Sequence, residues 1–283
     1  MSDLKNIKEI ELSSSTIIGS GIFKLFGVLF AIVILIIAGI YGGINAVTGF
    51  ISIACTIIFG AIIFGVFNTF TQTYLYNFFS KKLSPISFNI KDNKTIERIS
   101  ALPAAIIISL ISLIILVICF LASNFILQML LTSIIQIMMF SGQSNLALLL
   151  YQYFNVFSNP LSIILVLIGS YITIFVTVAI SATLYNELSS KILQIKVKLS
   201  SDGNYTSLDY VKPLNLAIIS AIIALIVSII FGMVIALYTG SFLIIAINGV
   251  IGFVFGFIIT SLIAIFYNYL SKFVGPIKIK LTD

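Results

Sequence analysis

Long apolar runs alternate with short polar stretches along this chain, and three of the runs end alike. LYNFFSKKLSPISFNI (75–90), LYNELSSKILQIKVKL (184–199) and FYNYLSKFVGPIKIKL (266–281) each leave an apolar run and finish in an alternating tail. The apolar tail positions are Ile86, Phe88 and Ile90; Ile195, Val197 and Leu199; Ile277, Ile279 and Leu281. Between them stand Ser87 and Asn89, Lys196 and Lys198, Lys278 and Lys280. A period of two gives one apolar and one wet face, which predicts a half-buried strand. Six apolar stretches, about 22–42, 50–78, 103–123, 161–186, 214–238 and 242–268, supply the roughly 20 residues a helix needs to cross a ~30 Å hydrocarbon core. They pair as three helical hairpins, each second helix running into a Tyr-Asn element.

The endings align without gaps on Tyr76-Asn77, Tyr185-Asn186 and Tyr267-Asn268. A weaker match precedes each first helix: IKEIELSS (7–14), IERISALP (96–103) and LDYVKPLN (208–215), where apolar spacing is nearer three than two. The links KDNKT (91–95) and SSDGNYT (200–206) join the first two tails to the next leaders, and Asp202-Gly203 is a hairpin-turn pair. The pattern predicts one unit used three times, over about 1–90, 91–200 and 201–283. Six short strands are expected on one side of the membrane, as a small antiparallel sheet or three small pairs. Repetition on this scale signals ring-like or stacked use of a unit that cannot bury itself alone.

The second unit is longer because of an insert on the outer side, residues 124–159, with no charged residue. Gln128, Thr132, Ser133 and Gln136 fall on one helical face of its first half. Each half, about 14 residues, is short for a span, so the expectation is an interfacial helical pair turning at SGQSN, or else a re-entrant dip.

Composition agrees with a lipid-facing surface. Of 283 residues 60% are hydrophobic and 8% charged, with mean hydropathy +1.22, whereas soluble domains carry roughly 25% charged residues. The expected fold is an all-α polytopic membrane protein: one membrane domain, 1–283, of six transmembrane helices with a small cytoplasmic antiparallel β element. Cys55 and Cys119 lie in apolar runs and read as small core residues. The N-terminal stretch MSDLKNIKEIELSSST is polar and does not resemble a cleaved signal peptide.

Charge adds orientation. On this map 14 of the 15 Lys and Arg residues, and all nine carboxylates, fall on one side; the loops at 41–50 and 237–242 and the insert carry none. Cationic loops stay cytoplasmic, so both termini and the strands are expected on the cytoplasmic side. Asn93 and Asn204, in glycosylation-type triplets, then lie inside and stay unmodified.

Candidate chemistry is sparse. Lys24 is the one ionisable group within reach of the hydrocarbon, and its stem can snorkel to lipid headgroups from the cationic side. The tail lysines with Lys81, Lys82 and Arg98 form a basic face able to meet anionic lipid or simply water. Tyr-Asn reads as an interfacial anchor and helix cap.

Small residues recur at a spacing of four in the second helices. Ala61 matches Gly252, Gly65 matches Gly256 and Thr69 matches Thr260, each pair at the same distance before Tyr-Asn. Gly169, Thr173 and Thr177 run one residue out of step in the middle unit. Spacing of four puts such residues on one helix face, where backbones approach closely, within the chain or between protomers. Their hydroxyls could instead line a polar path. There is no His, no carboxylate within the apolar runs and no metal-ligand cluster, so enzyme chemistry, cofactors and metals are not expected. Nothing argues for nucleic acid.

The Leu75-Tyr76-Asn77, Leu184-Tyr185-Asn186 and Phe266-Tyr267-Asn268 endings resemble an uncharacterised prokaryotic transmembrane domain family, a helical hairpin followed by Leu-Tyr-Asn and a Gly-Gly-Ile-Glu-Val-like strand. Here Ser84-Pro85, Leu193-Gln194 and Gly275-Pro276 replace the paired glycines, and Asn89, Lys198 or Lys280 replaces the strand glutamate. The resemblance implies architecture and no mechanism. The expected function is a non-catalytic membrane scaffold or accessory subunit, in contact with lipid and other membrane subunits. The alternative is a channel or carrier with a path between the hairpins.

Overall fold

The computed structural model describes the backbone of residues 2–92, 94–140, 144–191 and 193–282, and the side chains of these except 2–3, 45–46, 122–134, 137, 140 and 153–158. The elements in order are β1 (Ser2–Ile10), α1 (Leu12–Lys82), β2 (Ser87–Lys91), β3 (Thr95–Ile99), α2 (Ala101–Phe140), α3 (Ser144–Ser158), α4 (Pro160–Lys191), β4 (Ile195–Asp202), β5 (Tyr205–Val211), α5 (Pro213–Thr239), α6 (Leu243–Val274) and β6 (Ile277–Thr282).

Among the described residues six helical segments are long and apolar enough to cross a membrane: Leu12–Ile44, Val47–Lys82, Ala101–Leu121, Pro160–Lys191, Pro213–Thr239 and Leu243–Val274. The first two are arms of α1, which breaks at Gly43 (φ 65°, ψ −165°), a conformation open to glycine. The arms fold back on each other, since Ser15 meets Thr73 and Gly27 faces Ala61. Helices outrun the apolar stretches: α1 starts at Leu12 rather than near 22, and α6 ends at Val274 rather than near 268. A helix satisfies its backbone internally in lipid or water, so a change of polarity does not end it. Pro213 opens α5 where its missing N–H costs nothing, and left-handed Gly240 closes it.

The insert departs from expectation. Its first half is not a separate short helix but continues α2, a 40-residue helix about 60 Å long. No Gly or Pro follows Pro103 within α2, so nothing in the chain stops it. The second half forms α3, in contact with α2 and α4. Gln136 is exposed. Residues 141–143 of the expected SGQSN turn, Asn93, and the side chains of Gln128, Thr132 and Ser133 lie outside the described residues.

The strands form one small antiparallel sheet, the first of the two expected arrangements, and not three separate pairs. They close into one antiparallel barrel, β1-β2-β3-β4-β5-β6, with β6 pairing back to β1. Closure removes the free edges an open sheet would keep. Within the pairs β1–β2, β3–β4 and β5–β6 the register is the same: Asn6 faces Ser87, Thr95 faces Lys196 and Ser207 faces Lys278. The residues faced stand 11 positions after Tyr76, Tyr185 and Tyr267. Apolar strand side chains turn inward: Phe88, Ile90, Val197 and Val211 are buried, while Lys196 and Lys198 are exposed. Shielding each such apolar side chain from water contributes about 1.5–3 kcal/mol.

Candidate functional site

The densest set of specific contacts lies where the barrel meets the helices. A bulge breaks the register in each of the other three strand pairs: between Ile7 and Glu9 against β6, between Asn89 and Ile90 against β3, and between Lys198 and Leu199 against β5. In each, one leader residue has no opposite number: Lys8, Glu97 or Asp209. An extra residue resets the alternation, so Ile7 and Ile10, Ile96 and Ile99, and Leu208 and Val211 keep a spacing of three inside a strand.

Each Tyr-Asn element binds the leader of its own hairpin around that bulge. Tyr76 donates its hydroxyl to the Ile7 carbonyl at 2.7 Å, Tyr185 to Ile96 and Tyr267 to Leu208. The adjoining asparagine makes a two-point contact three residues further along the leader. Asn77 accepts from Ile10 N–H at 2.8 Å and donates to its carbonyl at 2.7 Å. Asn186 does the same with Ile99 at 2.8 and 2.9 Å, and Asn268 with Val211 at 2.9 and 2.7 Å.

A third member of the motif was not singled out in the sequence. Ser80 donates to the Lys8 carbonyl at 2.9 Å, Ser189 to Glu97, and Ser271 to Asp209 at 3.3 Å. Each acceptor is the bulged residue. The signal was available, since a serine stands four residues after every motif tyrosine. Three side chains within about one helical turn thus satisfy backbone groups of the bulged residue and of the leader residues on either side of it.

Fully buried Ile18, Ile107 and Ile219 stand at one position, 11 residues after Ile7, Ile96 and Leu208. Ile18 shares a cluster with Tyr267 and Ala264, and Ile107 with Tyr76 and Ile111. These two tyrosines therefore join their own leader strand to the first helix of a neighbouring hairpin.

The small-residue faces divide. A Cβ on Gly252 would meet the Ser228 side chain and, at 2.8 Å, the Ala224 carbonyl; one on Gly256 would lie 2.8 Å from Ala224 Cβ. Gly65 lies against Phe23 and Ser20, Ala61 against Gly27, and Thr69 against Gly19. These contacts are all within a hairpin. Thr69 and Thr260 donate to the carbonyls of Gly65 and Gly256 on their own helices. Gly169 has open space around it and Thr173 is exposed, while Thr177 is half-buried like Thr69.

The remaining candidates stand apart from this junction core. Lys24 is exposed on α1, about 18 Å along from Leu12. Lys81, Lys82 and Arg98 are exposed with the β4 lysines, while Lys278 pairs with Asp202. Cys55 is exposed and Cys119 half-buried, so Cys55 is not the core residue expected. An apolar run can face lipid as readily as protein, and periodicity does not say which. No group of His, Cys, Asp and Glu among the described residues could hold a metal ion.

Comparison with protein-family models, curated proteins and solved structures found no match to this chain.

Proposed function

We propose that this chain is a non-catalytic membrane scaffold or accessory subunit of a larger membrane complex, built from one hairpin unit used three times around a barrel. The observation that carries this reading is the Tyr-Asn-x-x-Ser contact: its polar side chains are spent on backbone groups of the fold, in the same arrangement at each hairpin. The channel reading draws less support, because the Thr69 and Thr260 hydroxyls bond their own helices.

Gentle native purification tests the proposal. A stable complex of defined stoichiometry is expected; a lone monomer, or solute flux in vesicles that falls when Thr69, Thr177 or Thr260 is made bulky, would overturn it. The one-sided distribution of charge supports a cytoplasmic barrel, and the resemblance of the Tyr-Asn endings supports a prokaryotic membrane. In a chain lacking Cys55 and Cys119, an impermeant maleimide should label Tyr238→Cys on intact cells and Ser201→Cys after permeabilisation alone.

A further inference from the structure

One junction between hairpins differs in chemistry from the others. A recess of about 400 Å³ lies between α1, α2 and β1, lined by Ser15, Gln72, Thr73 and Ser112 over an apolar floor that includes Ile108 and Ile111. Ser15 and Thr73 share a hydrogen bond of 2.8 Å, and Gln72 donates to Asn68 at 3.2 Å. Asn68, Gln72 and Thr73 precede Tyr76 by eight, four and three residues. The corresponding positions are Thr177, Ser181 and Ala182 before Tyr185, and Ile259, Ile263 and Ala264 before Tyr267. This junction alone has the two carboxamides.

Gln72 and Ile108 are exposed, so the recess opens on their side of the bundle. Gln72 lies ten residues, about 15 Å, before Lys82 on the same helix, within a segment apolar enough to span a membrane. A carboxamide facing hydrocarbon is costly unless something hydrogen-bonds it. No Asp, Glu, Lys or Arg among the described residues lines the recess, so an ionised head would find no counter-charge. We propose that it binds the uncharged, hydroxyl- and ester-bearing head of a diacylglycerol-like lipid, with the acyl chains along Ile108 and Ile111. The assignment does not rest on the scaffold reading.

The test uses the full chain in phosphatidylcholine nanodiscs with a diacylglycerol carrying an acyl-chain diazirine. Photolabelling should concentrate on residues 72–76 and 108–112. Gln72→Leu, at an exposed position, should cut it about fivefold, the loss of one net hydrogen bond, and Ser112→Leu should cut it by occlusion. Labelling that is unchanged in Gln72→Leu, or equally strong at 181–185, overturns the site. Equal labelling by a phosphatidylglycerol bearing the same diazirine overturns the uncharged head.

Discussion

Asn268 holds both backbone groups of Val211, accepting from its N–H and donating to its carbonyl, across 57 residues of chain. Both residues are buried. Asn268→Ala should cost about 2–4 kcal/mol, from two lost hydrogen bonds and a stranded buried N–H. Asn268→Asp keeps an acceptor but turns it on the Val211 carbonyl, and should also destabilise. Thermal unfolding in mild detergent measures both; an unchanged midpoint in either would remove the contact from the stability of the fold.

Ser80, Ser189 and Ser271 each answer one bulge carbonyl. Each Ser→Ala change should cost about 1 kcal/mol. The sites lie on different hairpins, so the triple variant should show close to the sum. Hydrogen exchange should rise first in β1, β3 and β5.

Glycines of similar sequence context should respond in opposite ways. Gly252→Ala drives a methyl into Ser228 and the Ala224 carbonyl and should destabilise by about 1–3 kcal/mol. Gly169→Ala meets nothing and should be neutral or stabilise by up to about 1 kcal/mol through helix propensity. Unfolding midpoints of the two variants, side by side, check the contrast.

Lys278 and Asp202 form an ion pair at 2.6 Å, and the hydrogen bond to Asp202 raises the lysine pKa above its usual 10.5. A raised folded-state pKa contributes stability that is complete below the unfolded value and lost as pH rises through the folded one. Wild type should therefore exceed Asp202→Asn in stability at about pH 7–9, and the gap should close above pH 10.5. Denaturant unfolding across that range measures it.

Much of the architecture was legible in residue patterns. The alternating tails became β2, β4 and β6, and the hairpin turn expected at Asp202-Gly203 appears one residue later, at Gly203-Asn204, with Gly203 at φ 60°. The leader strands were harder to read because Lys8, Glu97 and Asp209 interrupt their alternation, which no period of two can capture. Barrel closure depends on pairing between residues as distant as Asn6 and Thr282, beyond any local signal. Gly169 shows the opposite failure: small-residue spacing is visible in sequence, but whether a neighbour fills the space is not.

The pairing of β1 with β6 also constrains biosynthesis. The strand made first must wait for residues 277–282 to leave the ribosome before its second edge is covered. Until then β1 and β5 each offer a bare edge to other nascent chains. Premature termination just short of residue 277 should thus yield a product that inserts its helices yet is prone to aggregation and proteolytic clearance.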